Sequence, residues 1–361
     1  MQHTTHNEPN ENSDREDTEG RLESNGQAGR STGAVTLDDV AKVAGVSPIT
    51  VSRALNYPEK VAPKTLAKIN AAIARTGYVP NLLAGGLASR RSRLIAAIIP
   101  SMANSIFGEK ARSFSEQLRK AGYQILLGET GFSEEQEESL VSAVLSRRPD
   151  GILLTGINHT PACRRLLVAA NIPVVETWDL TPTPLDVVIG FSHKHIGQAV
   201  AEYLFNKKKY QRFGIVSATD HRALIRQKAY VETLASYGVN DVAVSNVPAP
   251  TTFLLGRQGL ARLLDEGFEK GAIFFSSDTL AQGAMAEART RNLSIPKDLA
   301  FVGLGDQPYA AYTHPALTTV RFDLTEIGRR AAQALLARIN NEPVPDKVVD
   351  IGFTIVERET T

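Results

Sequence analysis

The sequence predicts an α/β protein in which a small three-helix unit precedes two similar lobes, each built on a parallel β-sheet. Three observations predict this fold class. Residues 36–55 carry the residue types of two short helices and a tight turn. From residue 94 onward, short apolar runs alternate with amphipathic segments of helical length, which is the pattern of parallel strands joined by crossover helices. That series occurs twice, so two lobes are expected.

The first two helices are predicted from their start and stop residues. Thr36 with Asp39 three positions later resembles a capping box, in which each residue satisfies a free backbone N–H of the other. Gly45 suits the position just past a helix end, where φ is positive. Ser47 and Pro48 are typical of an N-cap and of the first position of a second helix.

The second helix is predicted to turn a polar face outward. Val51 and Leu55 are expected to face inward, which leaves an outer face of Pro48, Ile49, Thr50, Ser52 and Arg53. Such a face fits the major groove of DNA, and the alternative is a surface hairpin with a solvated face. A third helix at residues 61–76, ended by Gly77, favours the first interpretation because three helices can share one small core.

Charge is unevenly distributed along the chain, although the net charge of its 361 residues is only +1. Residues 1–34 hold seven acidic and three basic side chains and almost no aliphatic ones, so a disordered acidic tail is expected. Residues 36–93 hold nine Lys and Arg side chains against three acidic ones. A local excess of this kind is typical of contacts with phosphate groups.

The cellular compartment is predicted from cysteine use and from apolar stretches. Cys163 is the single cysteine, which excludes an intrachain disulfide framework and suits a reducing compartment; we expect it to be inert. The first residues lack the apolar run of a secretory signal, and no stretch is long and apolar enough to span a bilayer. A soluble, cytoplasmic protein is therefore expected. If the helical unit binds DNA, the protein is expected to be associated with the nucleoid.

The two lobes are predicted from the elements that follow a linker at residues 81–93. Strands are expected at residues 94–99, 123–127, 151–154, 173–176, 213–216, 272–275, 300–302 and 348–353. Helices are expected at residues 106–121, 134–146, 161–170, 195–205, 224–237, 255–265, 279–291 and 325–339. The predicted domains are a tail at 1–34, a helical unit at 35–80 and a two-lobed domain at 94–361. The first lobe takes residues 94–190 and 321–340, and the second takes 191–320 and 341–356.

Ligands of open parallel sheets bind beyond the carboxyl ends of the strands, so the residues just after the strands are candidates for a ligand site. They combine aromatic, hydroxyl, amide, carboxylate and guanidinium groups and comprise Ser101, Asn104, Ser105, Phe107, Glu176, Trp178, Arg226, Ser277, Asp278 and Asp306. This chemistry fits a small, oxygen-rich ligand such as a sugar or sugar acid. On the residues alone, Arg226 could equally be a surface residue of its helix, and Asp278 could cap the helix that follows.

The same residues do not form a catalytic constellation. The sequence contains no nucleophile elbow and no phosphate loop, and GLG at residues 303–305 lacks the third glycine of a dinucleotide fingerprint. His193 and His195 are two residues apart, but no third ligand is near in sequence, so a partly exposed helix start is expected there rather than a metal site. We therefore predict no enzyme, no cofactor and no metal.

Five motifs carry a family resemblance: TLDDVAKVAGVSPITVSRALN at 36–56, GYVPN at 77–81, AGGL at 84–87, DGILL at 150–154 and PALTTV at 315–320. With these motifs, the chain resembles the lactose/galactose-repressor (LacI/GalR) family of transcription regulators from residue 36 almost to its end. VVETWDL at 174–180, IGFSH at 189–193 and RQKAY at 226–230 are most similar to gluconate-operon and 2-ketogluconate-responsive repressors.

The resemblance implies a periplasmic-binding-protein-like (type I) effector domain and a homodimer, or a dimer of dimers, that reads a near-palindromic double-stranded operator. The implied DNA contacts are Thr36, Ser47, Pro48, Ile49, Thr50, Ser52, Arg53, Asn56, Asn81, Ala84 and Leu87. Leu87 is expected to wedge into the minor groove from a hinge helix, residues 82–89, that folds on DNA. Gly85 and Gly86 disfavour that helix and are poorer helix formers than is usual there.

The resemblance also implies an effector site between the lobes. Arg226 falls on the ligand-binding Arg of the family, Ser277 and Asp278 fall on its Asn–Asp pair, and Gly305 stands where many members place a sugar-binding Asp. A lost carboxylate beside a retained Arg favours an anionic ligand. The expected function is a repressor of a gluconate-type sugar-acid operon. The alternatives are a regulator that responds to a neutral sugar or nucleoside, a sugar-binding protein without a DNA role, and a carbohydrate enzyme on the same fold.

Overall fold

The computed structural model describes residues 35–79, 91–102 and 105–361. The chain divides into two units, residues 1–81 and 82–361. The predicted tail at 1–34 and hinge helix at 82–89 lie outside the described residues, and so do Asn81, Ala84 and Leu87.

Within residues 35–79, the first unit is built from three helices: α1 (Leu37–Ala44), α2 (Pro48–Asn56) and α3 (Pro63–Thr76), with a 3₁₀ turn at Pro58–Lys60. Val40, Val51 and Ile69, one from each helix, are fully buried and form the centre of the core. The last helix begins two residues later than predicted because Pro63, whose fixed φ suits a first helical position, starts it.

The caps predicted for α1 and α2 are confirmed. The Thr36 N–H donates to Asp39 Oδ2 at 2.9 Å, and the Asp39 N–H donates to Thr36 Oγ1 at 3.3 Å. Gly45 ends α1 with φ at +68°, and Ser47 Oγ accepts from the Thr50 N–H at 3.3 Å. These contacts are local, which is why the sequence was sufficient to predict them.

The described residues of the second unit form two six-stranded sheets. The first has the order β11-β5-β4-β3-β1-β2 and is built from β1 (Leu94–Ile99), β2 (Gln124–Glu129), β3 (Gly151–Thr155), β4 (Val174–Thr177), β5 (Val187–Gly190) and β11 (Val348–Asp350). The second has the order β12-β10-β9-β8-β6-β7 and is built from β6 (Phe213–Ala218), β7 (Val242–Val247), β8 (Gly271–Phe275), β9 (Leu299–Leu304), β10 (Thr318–Arg321) and β12 (Thr354–Val356). All neighbours are parallel except β10 and β12.

Helices cover both faces of these sheets. In chain order they are α4 (Ser105–Lys120), α5 (Glu134–Leu145), α6 (Pro161–Ala170), α7 (His193–Glu202), α8 (His221–Ser236), α9 (Phe253–Asp265), α10 (Asp278–Thr290) and α11 (Leu324–Ile339). A π-helical turn at Tyr203–Lys207 continues α7. In the first lobe α11 packs against α4, and in the second lobe α7 packs against α8.

The end of the chain corrects the predicted lobe boundaries. The single strand predicted at 348–353 is wrong, because residues 348–350 pair with β5 in the first sheet and residues 354–356 pair with β10 in the second. The assignment of residues 341–356 to the second lobe is therefore wrong for β11. The chain passes between the lobes three times: after β5, after β10 and between β11 and β12.

Candidate functional site

In the first unit, the start of α2 presents an exposed surface. Ser47, Pro48, Ile49, Arg53 and Asn56 are exposed, whereas Thr50 and Ser52 are partly buried. Ile49 is 71% exposed, so a large apolar side chain lies on the surface at the start of α2. Thr36 is also exposed, at the start of α1. This part of the unit thus combines apolar, hydroxyl, amide and guanidinium groups on its surface.

Ala54, rather than Leu55, is the second fully inward residue of α2. Val51 is 0% exposed and Ala54 is 6% exposed, while Leu55 is partly buried against the same core. The predicted inward pair is therefore correct for Val51 and only partly correct for Leu55. The outward position of Arg53 is unaffected.

In the second unit, two adjoining cavities lie between the lobes, beyond the carboxyl ends of the strands. The smaller has a volume of about 70 Å³ and the larger of about 320 Å³. Both are lined by Phe132 of the first lobe and by Asp220 and Arg222 of the second. The position is the one expected for a ligand of parallel sheets.

Aromatic rings from the first lobe line the smaller cavity. Phe107 and Trp178 both line it, and their ring centroids are 5.1 Å apart. Trp178 also contacts Phe191 and Phe322, with centroids at 5.3 and 5.8 Å. The Trp178 backbone has φ at +85°, a strained conformation for a bulky residue that tertiary packing must maintain. A rigid apolar wall of this kind suits the face of a sugar-like ligand.

Arg222, near the start of α8, reaches from the second lobe into the first. Its Nε donates to Asp179 Oδ2 at 2.7 Å, and its Nη2 donates to the Thr155 carbonyl at 2.9 Å. Gly156 permits this approach, because a Cβ at that position would lie 2.6 Å from Arg222 Nη2. The guanidinium therefore joins the two lobes across the cleft.

Arg226 lies four residues further along α8 and is 5% exposed. Its Nη1 donates to His193 Nδ1 at 2.8 Å and its Nη2 donates to the Ser276 carbonyl at 3.4 Å. Its Nε has no hydrogen-bond partner among the described residues. Since the side chain lines the smaller cavity, a ligand there has a buried guanidinium donor to bind.

His193 connects Arg226 to Asp179. Because its Nδ1 accepts from Arg226, the ring proton belongs on Nε2, which lies 3.1 Å from Asp179 Oδ1. Burial lowers the pKa of His193 to about 4, so the ring is neutral at neutral pH. Burial opposes ionisation of Asp179, but Arg222 and His193 outweigh it and hold the pKa of that carboxyl well below its usual range. The expectation of a partly exposed His193 is wrong, since it is 4% exposed.

Glu176 does not lie in the cleft, contrary to the prediction. It is 0% exposed; its Oε1 lies 3.2 Å from His159 Nε2 and its Oε2 accepts from the Leu185 N–H at 2.6 Å. The reason is strand alternation: β4 extends through Thr177, so Glu176 points to the opposite face of the sheet from its neighbour. The prediction of Glu176 as an effector contact is wrong.

The same buried region brings together Glu137, His159 and Cys163, whose donor atoms lie within 4.8 Å of one another. Glu137 Oε1 is 2.5 Å from His159 Nδ1. Burial alone would lower the pKa of His159, but Glu137 and Glu176 raise it to about 9. Burial raises the pKa of Cys163 to about 12, so its thiol stays protonated. The arrangement is that of a charged histidine held between two carboxylates.

Among the candidates of the second lobe, only Ser277 and Arg226 line a cavity. Ser277 lines the smaller one and caps α10. Asp278 is 0% exposed and accepts from the Gln307 N–H at 2.8 Å and from Thr319 Oγ1 at 2.5 Å. It therefore fixes the loop after β9, a structural role other than the helix cap considered above.

Asp306 is engaged outside the cavities. Its Oδ1 accepts from Arg358 Nη2 at 2.7 Å, and it lines neither cavity. The structure thus does not support Asp278 or Asp306 as effector contacts. In the first lobe, Ser101 is partly buried beside Pro100, which lines the larger cavity. Asn104 and the Ser105 side chain lie outside the described residues.

Three residues that form the cleft network were not among the sequence-based candidates: Lys110, His193 and Arg222. Asp179, the second residue after β4, lies where the rule for parallel sheets places ligand contacts. A signal existed for Arg222, which occupies the first turn of the helix after β6. Nothing local marks Lys110 or His193, because their partners are distant in sequence.

A helix-turn-helix unit followed by a two-lobed domain with a ligand cleft defines a transcription regulator that binds DNA and a small molecule. Two family models match the chain: that of bacterial regulatory proteins of the lacI family at residues 36–81, and that of the periplasmic binding protein-like domain at residues 201–361. The chain belongs to the lacI family of bacterial regulatory proteins. It is a DNA-binding transcriptional repressor and not an enzyme, as predicted.

Known relatives cover almost the whole chain. It is 37% identical to the HTH-type transcriptional regulator GntR of Pseudomonas aeruginosa over 333 residues, which are 92% of this chain and 97% of that protein. A LacI family regulator from Silicibacter pomeroyi has a similar structure, with a TM-score of 0.83, 31% identity and coverage of 90% and 99%. The lac repressor dimer bound to operator aligns with a TM-score of 0.78, 25% identity and coverage of 91% and 99%. None of the helices in the described part of the chain has the length and apolar character needed to cross a membrane.

Proposed function

We propose that this repressor controls a sugar-acid utilisation operon and that its effector is a sugar acid of the gluconate type, bound between the two lobes. The observation that carries the proposal is Arg226. Its guanidinium is buried and lines the smaller cavity, and its Nε lacks a partner among the described residues. A carboxylate is the ligand group that best matches a buried guanidinium.

The remaining lining supports a polyhydroxy ligand. Phe107 and Trp178 offer an apolar wall, while Thr251, Ser276 and Ser277 offer hydroxyl and backbone groups on the other side. Small-molecule sites combine such apolar surfaces with a few polar groups that fix the orientation of the ligand. A neutral sugar or nucleoside would use the same wall but would offer no carboxylate to the Arg226 Nε.

The effector acts through the relation between the lobes. Arg222 and Asp179 already connect them across the cleft, so a ligand that binds beside Arg222 changes the balance between open and closed arrangements. Transmission to DNA is proposed through the hinge residues Asn81, Ala84 and Leu87, in a cytoplasmic homodimer or dimer of dimers. The exposed start of α2 supplies the groove contacts, with Thr36 and Asn56 beside it.

The test is a gel-shift titration with DNA from upstream of the protein's own gene. Gluconate and 2-ketogluconate are expected to change operator affinity at concentrations where glucose and adenosine do not. Calorimetry with the same four compounds measures binding directly. If glucose or adenosine bound and changed operator affinity while both sugar acids did not, the sugar-acid proposal would be wrong and the neutral-ligand alternative would replace it.

A further inference from the structure

Lys110 is a fully buried cation in α4 of the first lobe. It is 0% exposed, and its Nζ donates to Thr155 Oγ1 at 2.7 Å and to Thr177 Oγ1 at 2.9 Å. Both acceptors are neutral hydroxyls, and no ion pair with a carboxylate is found for Lys110 among the described residues. A buried ammonium without a counter-ion is costly, so its position requires an explanation.

The ammonium lies directly beneath the effector cleft. Its Nζ is 5.7 Å from the Trp178 ring centroid and 6.0 Å from that of Phe107, and both rings line the smaller cavity. Thr155, which accepts its hydrogen bond, lines the larger cavity. The backbone of α4 is fixed here by α11, because a Cβ on Gly328 would lie 2.6 Å from the Lys110 carbonyl oxygen. The Lys110 ammonium is therefore separated from the cleft only by the side chains that line it.

The charged groups that face Lys110 are Arg222 and Asp179. On α11, the charged residues Glu326, Arg329 and Arg330 pair with one another at partly exposed or exposed positions. Around the smaller cavity, the cations Lys110, Arg222 and Arg226 stand against the carboxylates Asp179 and Asp220, while Glu134 and Glu137 line the larger cavity. A protonated Lys110 thus leaves the surroundings of the smaller cavity with one positive charge in excess.

An empty cleft and an occupied cleft favour different protonation states of this amine. Burial and, secondarily, Arg222 lower the pKa of Lys110 to about 7, so the charge is readily lost near neutral pH when no anion is present. A negative charge in the cleft is screened little by the protein around it and favours the ammonium.

We propose that an anionic effector binds to this cleft together with one proton from the solvent, which the Lys110 amine retains as an ammonium that offsets the negative charge of the ligand. This inference rests on the proposed sugar-acid effector. It adds that the ligand binds as an anion and that its affinity depends on pH. A neutral ligand would bind without proton uptake.

Calorimetry with gluconate tests the linkage on the intact protein. At pH 8, titrations in phosphate and in Tris, which differ in ionisation enthalpy, are expected to show uptake of about one proton per gluconate bound. Above pH 7, affinity is expected to fall by up to about tenfold per pH unit. His193 does not contribute in this range, since its pKa is about 4.

Variants of Lys110 test whether this residue binds the proton that is taken up with gluconate. Lys110→Met should abolish the proton uptake and flatten the dependence of gluconate affinity on pH. Lys110→Arg keeps a permanent charge, so it should also abolish the proton uptake but should retain gluconate affinity at pH 8. Lys120→Met, at an exposed position at the end of the same helix, should behave as the wild type. Subtraction of the Lys110→Met data removes contributions from His159, whose pKa is about 9.

The outcomes separate the two proposals. Gluconate binding without proton uptake in the wild type, or uptake that persists in a folded Lys110→Met protein, overturns the linkage and leaves the sugar-acid effector in place. If neither gluconate nor 2-ketogluconate bound to the wild type, both proposals would be overturned. The measurement on the wild type needs no variant, so a poorly folded variant cannot decide the result.

Discussion

Arg222 Nε donates a hydrogen bond to Asp179 Oδ2 at 2.7 Å, and these two atoms belong to different lobes. The Arg222 side chain is 16% exposed and that of Asp179 is 8% exposed, so water screens the pair only weakly. The path of the guanidinium depends on Gly156, where a side chain would collide with it. The arrangement of the two lobes is therefore stabilised by a specific charged contact in addition to apolar packing.

Removal of Arg222 should destabilise the two-lobed unit. Arg222→Ala leaves Asp179 buried beside a neutral His193, and breaking one side of such a pair is expected to lower the free energy of unfolding by about 2 kcal/mol. Urea unfolding at pH 7 measures the change. The double variant Arg222→Ala/Asp179→Asn should recover part of the loss, because no uncompensated charge then remains.

A matched control is Arg262→Ala, on the exposed surface of α9. It should change the stability by no more than about 0.5 kcal/mol. If the free energy of unfolding fell equally in the Arg222 and Arg262 variants, the contact between the lobes would contribute no more to stability than a surface arginine does.

Arg226→Ala should abolish the response to the effector while operator binding persists, because Arg226 lies outside the helix-turn-helix unit. The expected result is a gel shift that gluconate no longer changes. Lys228→Ala, an exposed cation on the same helix with 76% of its side chain accessible, is the matched control and should respond as the wild type. A normal gluconate response in Arg226→Ala would remove the main support for a sugar-acid ligand.

Local features of the fold were predictable from the sequence, because their causes lie within a few residues. The capping box of Thr36 and Asp39 and the helix end at Gly45 are of this kind. Strands β5, β7 and β10 were missed for the converse reason. VVIG of β5 is only four residues long, and TTVR of β10 carries polar residues whose burial depends on neighbouring strands.

The lining of the cleft between the lobes was predictable only in its location. The rule that ligands bind after parallel strands found Phe107, Trp178 and Arg226. It failed for Glu176 because the exact end of β4 decides which face that residue takes. Arg222 and Asp179 are 43 positions apart, so their contact follows from lobe packing and not from any local pattern.

The buried charge of His159 should make stability depend on pH. Glu137 and Glu176 raise the pKa of His159 to about 9, above the ordinary value of 6.5. A group whose pKa is raised by folding stabilises the protein fully below the unfolded value, and that contribution is lost as the pH rises through the folded value. The difference in unfolding free energy between the wild type and His159→Gln should therefore be largest near pH 6 and should shrink toward pH 9.5.

Urea unfolding of both proteins across this pH range measures the effect. His195→Gln, which removes an exposed histidine from α7, is the control and should show no such trend. A stability difference for His159→Gln that stays constant from pH 6 to pH 9.5 would indicate a neutral histidine between the two carboxylates.

Arg53 should be a principal determinant of operator specificity. It is exposed on α2, whose start carries Ile49 and the hydroxyl of Ser47, and it is the only basic side chain of that helix. If its guanidinium binds guanine with two hydrogen bonds, Arg53→Ala should weaken operator binding by about 1–3 kcal/mol and leave binding to random DNA nearly unchanged. Fluorescence anisotropy with both DNAs at one fixed salt concentration measures the two affinities.

Arg75→Ala removes the same charge from the exposed face of α3 and is expected to change both affinities equally. An equal loss on both DNAs for Arg53→Ala would identify a phosphate contact, and base recognition would then depend on the hydroxyl and apolar groups of α2.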